Sequence, residues 1–162
     1  MDLTVKPIGI IHSPFRETAH TPIQPGAAGE ARGRVELLAE YAPGLLDLDG
    51  FERIWLLYWF DRAAAPKLCV KPYMDDGEHG LFATRAPARP NPIGMSSVKL
   101  LGIEANILTV EGIDVLDGTP LLDIKPYAPP FDCYPVERTG WLEYKQLDNQ
   151  KADNRFYRKD SL

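Results

Sequence analysis

The chain has 162 residues, 44% of them hydrophobic and 25% charged, with a formal net charge of -5; this is the composition of one globular domain with room for a sizeable core. No apolar run approaches the roughly 18 to 20 residues that span a bilayer. The start, MDLTVKPIGIIHSPF, has neither the basic segment nor the long apolar segment of a secretory signal, so a cytoplasmic protein is expected. The acidic balance disfavours broad nonspecific nucleic-acid binding, which comes from neutralising phosphates with lysine and arginine, although it is compatible with a local basic patch.

Apolar residues come in short runs bounded by Gly, Pro, Asp or Asn, the spacing of strands and turns. Strands are expected at 4–12, 33–38, 53–60, 70–73, 80–84, 97–104, 107–111, 113–116 and 139–144. Between the first two lies a Gly/Pro/Ala-rich segment, 18–33. Compact domains seldom leave so long a stretch unpatterned unless it works for function. Within EYAPGLLDLDG, 41–48 allows one or two helical turns before Gly50. RIWLLYWF, 53–60, is apolar on both faces and must be covered on both. Besides forming core, one face of Trp55, Tyr58 and Trp59 is a candidate to meet a partner subunit or a ligand, since aromatic side chains with a polar handle favour such boundaries.

TRAPARPNPIGMS, 84–96, follows. Its prolines fix φ, remove donors and push Ala86, Arg89 and Asn91 toward extended geometry. This predicts a stiff loop, neither helix nor central strand, that holds Arg85 and Arg89 in a limited range of directions. Farther on, Glu111-Gly112 and Asp117-Gly118 are turn signals between strand candidates. Residues 146–162, QLDNQKADNRFYRKDSL, lose the strand pattern. They are expected as a polar, frayed or surface-lying tail behind a domain at 1–145. Many short strands with Pro/Gly-rich connections predict a mainly β fold, a small closed or nearly closed β-barrel with long loops and little helix.

Cys69 and Cys133 lie far apart, and the histidines at 12, 20 and 79 have no ligand rhythm. Neither a disulfide framework nor a metal site is signalled, and both cysteines are expected as small buried hydrophobes. There is no GxGxxG or Walker-type loop. Three stretches exceed structural need: the first long loop, 84–96, and LDGTPLLDIKPYAPPFD, which carries acids at 117, 123 and 132 and Lys125. Together they supply cation, carboxylate, hydroxyl and rigid backbone, as a site for a polar, nucleotide-like ligand requires. Taken singly, Asp117-Gly118 also reads as a plain turn and Lys125 as a solvated strand residue.

GIIHSPF, LFATRAPARPNPIGMSSVKL and IDVLDGTPLLDIKPY together resemble the TsaA-like family, whose best-described members, of the TrmO type, are S-adenosylmethionine-dependent tRNA methyltransferases. The resemblance covers about residues 5–145. It implies a small β-barrel acting as a homodimer, with the cofactor near the subunit interface. The implied reaction is N6-methylation of an adenosine beside the tRNA anticodon that already carries a threonylcarbamoyl group. Matched by motif, the implied cofactor contacts are Pro22, Ile23 and Gln24, Asp61 and Arg62, Arg85 and Met95, and Asp114, Leu116, Asp117 and Gly118. The family more often has arginine at Ile23 and histidine at Asp61. Many bacterial members carry a C-terminal domain for which this chain is too short.

Methyl transfer from a sulfonium to nitrogen is an in-line displacement to which a protein contributes mainly alignment. The sequence agrees, showing no nucleophile paired with a base. Asp114 or Asp117 is expected to orient the cofactor's ribose or amino group, with Asp117 as the proton acceptor. Arg85 and Arg89 are candidates to receive a substrate carboxylate or phosphate through paired hydrogen bonds, and Asn91 and Lys125 are substrate-side candidates. The alternative for the arginines is an ion pair with acids in the same loop network, and for Arg89 also a role in bracing its own loop. Two other functions stay open: a cofactor-binding module without transfer, and a methyltransferase with another acceptor.

Overall fold

In the computed structural model, which describes residues 3–145 and 151–158, six strands close into an antiparallel barrel. They are β1 (Gly9–His12), β2 (Arg32–Leu37), β3 (Arg53–Trp59), β6 (Ile93–Glu104), β7 (Ile107–Glu111) and β8 (Thr119–Pro126), in the order β1-β2-β7-β6-β3-β8 with β8 returning to β1. Closure leaves no unpaired sheet edge. Two short strands, β4 (Cys69–Val70) and β5 (His79–Gly80), pair beside the barrel. Among the described residues, helix is confined to α1 (Pro25–Ala28), α2 (Pro129–Asp132) and short 3-10 segments, the longest being Ala39–Leu45.

The strands form where the side chains alternate. β2 buries Gly33, Val35 and Leu37 and exposes the residues between them; β3 buries Ile54, Leu56 and Tyr58. These residues meet Ile11, Val98, Leu108, Val110, Ile113 and Leu121 in one core, each aliphatic side chain contributing roughly 1.5–3 kcal/mol by leaving water. Period two also separates the aromatic residues of β3: Trp55 and Trp59 share the outer face, where Trp55 packs at 5.7 Å on Tyr127, while Tyr58 points inward. The two turn glycines, Gly112 and Gly118, each have φ of 81°, a backbone that favours glycine over any residue with a Cβ.

Several sequence expectations are corrected. Residues 119–126, outside the expected strands, are β8; Pro120 fits because it lies near the strand's first residue. Residues 113–116 are buried but not a strand; they cross one end of the barrel, anchored where Ile113 N–H donates to Ala31 and Asp117 N–H to Phe15. Apolar continuity alone cannot distinguish such a crossing from a buried strand. The expected strand at 139–144 is a 3-10 turn, Gly140–Leu142, and 80–84 keeps only Gly80 in β5 before the turn Leu81–Ala83. The stiff loop ends at Pro92, since Ile93–Ser96 already pair with β3. Cys69 and Cys133 are exposed free thiols, not core. The chain beyond 145 is not a surface-lying tail where it is described: Ala152 and Phe156 are buried. Residues 146–150 and 159–162 of that expected tail lie outside the described residues.

Candidate functional site

Beside the barrel is a cavity of about 660 Å³, in the size range of small-molecule sites, roughly 300–1,000 Å³. Its floor is a buried hydrogen-bond chain. Tyr58 on β3 lies directly opposite Gly94 on β6, and Leu56 opposite Ser96. A Cβ at position 94 would collide with the Tyr58 ring and come within 2.8 Å of Phe60 Cζ, so the glycine is what lets that ring lie across the strand. The Tyr58 hydroxyl is 3.0 Å from Ser96 Oγ, and Ser96 Oγ donates to Asp114 Oδ1 at 2.6 Å. The chain thus runs from phenol to hydroxyl to carboxylate.

Burial pushes the Asp114 carboxyl up to about 7, opposed by the Ser96 hydrogen bond, a backbone hydrogen bond and the positive charge of Arg85. Burial also raises Tyr58 well above its ordinary value, with the Asp114 charge adding to it. Tyr157 is pushed up to about 12, mainly by burial and then by Asp114. Only the carboxyl changes charge near neutrality, which makes it the one floor group suited to take and release a proton there.

The walls come from the segments that the sequence singled out. Pro22, Ile23, Gln24, Asp61, Arg62, Arg85, Met95, Asp114 and Leu116 all line the cavity. Arg85 Nη1 donates to Gln24 Oε1 at 2.9 Å, tying the first loop to the proline-rich loop. Arg62 Nη2 donates to the Asp117 carbonyl at 2.6 Å, and its Nε is 3.8 Å from Asp61 Oδ2.

Four expected residues lie elsewhere. The Asp117 carboxylate is outside the cavity, where it accepts from the Ser13 N–H at 3.1 Å and lies 3.7 Å from His12 Nδ1. A base there faces the wrong side of its turn; of the two acids that line the cavity, Asp61 and Asp114, the buried one is Asp114. Gly118 contributes turn geometry, with its N–H on the Ile11 carbonyl. Asn91 is exposed away from the cavity. Lys125 sits on the outer end of β8 and pairs with Asp123 at 2.7 Å. Arg89 does line the cavity, yet its Nη1 reaches the carbonyls of Thr84 at 2.9 Å, Ala86 at 3.3 Å and Leu81 at 3.4 Å. That nitrogen braces the loop, so bracing is the role its contacts describe.

Sequence reasoning missed Ser96, Gly94 and the whole C-terminal contribution. Alternation along β3 and β6 was the available signal for Ser96; nothing local marked the rest. Pro22 bridges to Lys151 and Ala63 to Tyr157, the Ala64 N–H donates to the Phe156 carbonyl at 2.8 Å, and the Thr18 hydroxyl donates to Asn154 Oδ1. Phe156 packs with Val70, Leu81, Ala86 and Ala88 in a second core. Among the described residues, no group of three or more His, Cys, Asp or Glu is placed to hold a metal ion, and no helix is long and apolar enough to cross a membrane.

Residues 10–133 match the model of the tRNA-methyltransferase O N-terminal domain. An Archaeoglobus fulgidus protein named S-adenosyl-L-methionine-binding protein is 43% identical over 81% of this chain and 94% of its own. The tRNA (adenine(37)-N6)-methyltransferase of Escherichia coli (strain K12) is 38% identical over 84% of this chain and 62% of its own. The crystal structure of TrmO from Pseudomonas aeruginosa superposes with a TM-score of 0.73 at 43% identity, covering 87% of this chain and 63% of that one. The chain therefore spans less than two thirds of the E. coli enzyme and of the P. aeruginosa TrmO chain.

Proposed function

The chain belongs to the tRNA-methyltransferase O N-terminal-domain family, and on that premise we propose that its cavity binds S-adenosylmethionine and passes the methyl group to N6 of an adenosine beside the tRNA anticodon, one that already carries a threonylcarbamoyl group. The observation that carries this reading is Asp114: a buried carboxylate facing the cavity, whose pKa of about 7 suits proton exchange at neutral pH. The site fits the cofactor. Arg62 and Arg85 offer cations for a carboxylate, and Asp114 an anion for an ammonium or a sulfonium, within a largely apolar cavity.

When bound, the cofactor supplies an electrophilic methyl group on a positively charged sulfur. Arg62, Arg85 and the other wall residues would hold it for an in-line approach of the nitrogen, and such alignment is where most of the acceleration would lie. As the N6–methyl bond forms, the sulfur–methyl bond breaks and leaves a neutral thioether; the N6 proton would pass to Asp114 Oδ. The carbonyl on a carbamoylated N6 makes that proton more acidic and so eases the transfer. The Ser96 hydroxyl, braced by Tyr58, stabilises the ionised carboxylate and fixes its direction.

Incubation with methyl-labelled S-adenosylmethionine and threonylcarbamoylated tRNA, followed by nucleoside mass analysis, is expected to give one added methyl on the modified adenosine. No added methyl would refute the transfer reading. The same assay with tRNA lacking the threonylcarbamoyl group separates this acceptor from others. A second reading, a binding module without transfer, is supported by the name of the A. fulgidus relative; calorimetric cofactor binding with no label reaching any tRNA would favour it. The homodimer implied by the resemblance belongs to this proposal as well. Residues 131–140 are all exposed although they include Phe131, Tyr134 and Val136, and sedimentation at micromolar concentration tests it.

A further inference from the structure

Trp141 lies beyond the segment matched by the family model, which ends at residue 133, yet it lines the cavity. Its indole is held firmly. Nε1–H donates to the Ala83 carbonyl at 2.8 Å, and the ring stacks on His79 with centroids 4.7 Å apart and planes 20° from parallel. His79 is anchored in turn, with Nε2 2.8 Å from Asp75 Oδ2, while Asp75 Oδ1 accepts from Lys145 Nζ at 3.1 Å. These contacts close a ring from 75–79 to 83 and on to 141–145. Ordering long side chains costs conformational entropy, and the usual compensation, burial, is small here: Trp141 is half-buried, Leu142 is 40% exposed and the ten residues before 141 are all exposed. What the ring of contacts achieves is a fixed aromatic plane at the cavity mouth. Beside it on the same mouth is Phe82, 76% exposed, with the Arg89 guanidinium 5.7 Å from its ring centre.

We propose that Trp141 is the platform on which the acceptor nucleobase stacks at the cavity mouth, with Phe82 as the second aromatic contact. The inference rests on the RNA-methylating reading above and names the acceptor subsite of that same cavity. Asp114 is buried at the floor beside Tyr58, whereas Phe82 and Arg85 are exposed and Trp141 is half-buried, on the side of the cavity open to a large substrate. A base that is to be methylated on an exocyclic nitrogen must leave its stack in the RNA, and an aromatic side chain replaces the lost stacking because every base has a π-face. His79 covers one side of the indole and leaves the rest of the ring for the cavity.

The chain has three tryptophans, and neither Trp55 nor Trp59 lines the cavity, so a Trp55→Phe/Trp59→Phe background isolates the Trp141 emission. An anticodon stem-loop of about 17 nucleotides, long enough to retain stacking and phosphate contacts, is titrated alongside one that is abasic at the target adenosine. The intact stem-loop is expected to quench Trp141, and the abasic one not to. In the otherwise unaltered chain, Trp141→Ala is expected to weaken stem-loop binding by roughly ten- to a hundredfold and Trp141→Phe far less, with calorimetric affinity for S-adenosylmethionine and melting temperature unchanged. Equal loss of cofactor and stem-loop affinity would assign the indole to the cofactor and overturn the proposal; so would wild-type stem-loop binding by Trp141→Ala or equal quenching by the abasic RNA. A chain that binds no S-adenosylmethionine would refute the functional reading, while the quenching titration would still decide the platform.

Discussion

The floor and the mouth of the cavity are built by opposite means. At the floor, Tyr58, Ser96 and Asp114 are buried and positioned by the register of two paired barrel strands and one tightly anchored crossing. The mouth and outer wall take Trp141, Ala152, Phe156 and Tyr157 from chain that enters no barrel strand, held by two isolated bridges, a small second core and polar contacts. The charged floor thus sits on strands fixed by barrel register, whereas the outer wall depends on fewer contacts between distant segments of chain.

The sharpest test of the floor is Asp114→Asn, which keeps the shape and removes the proton acceptor. Methyl transfer is expected to fall by about 10²- to 10⁴-fold, read as single-turnover rates at saturating cofactor, which separates the lost base from any cofactor affinity lost with the anion. The same carboxyl sets a pH signature. Its pKa rises from an ordinary 3.8 to about 7 on folding, so the folded state holds the proton more tightly. Its favourable contribution is therefore complete below about pH 4 and is lost as pH rises through about 7. Transfer follows the opposite course, rising as the base ionises. Denaturant midpoints at pH 5 and pH 8 are expected to differ less in Asp114→Asn than in the unaltered chain.

For the outer wall, Phe156→Ala is expected to cost about 3–5 kcal/mol, confined to the second core. Hydrogen exchange would show lost protection at Ala64 and 152–157 while the barrel amides keep theirs. Equal loss in both would mean that the two regions are one cooperative unit. Gly94→Ala is expected to cost about 1–3 kcal/mol through overpacking against Tyr58 and Phe60, lowering both melting temperature and transfer because it displaces the head of the floor chain. Lys145→Ala has the smallest expected effect, a slight fall in melting temperature that disappears at high salt, since the pair with Asp75 is partly exposed and screened.

The barrel was legible because most of its strands alternate and its turns are written in Glu111-Gly112 and Asp117-Gly118, where both glycines adopt the left-handed backbone. β8 was hidden by Thr119-Pro120 and Lys125-Pro126, which read as loop punctuation although Pro120 and Pro126 fall near the strand's ends. The run at 113–116 looked like a strand because burial on all sides has the same apolar signature in a strand and in a crossing. At the site, the loops carrying Pro22 to Gln24, Arg62 and Arg85 could be chosen by composition and resemblance. The choice between Asp114 and Asp117 could not, because three residues of a turn separate one that faces the cavity from one that faces Ser13 and His12.

By itself, then, the sequence determined a mainly β chain and a stiff arginine-bearing loop, together with a set of segments rich enough in charge and rigidity to form a ligand site. Local propensity and period-two patterning act over a few residues and need no partner to be read. Only the tertiary structure decided that Arg89 braces its loop while Arg85 reaches Gln24, that Asp114 and not Asp117 faces the cavity, and that residues 151–157 return to form part of its wall. Each of those outcomes depends on which distant groups meet, and that follows from closing the barrel and packing the remaining chain against it.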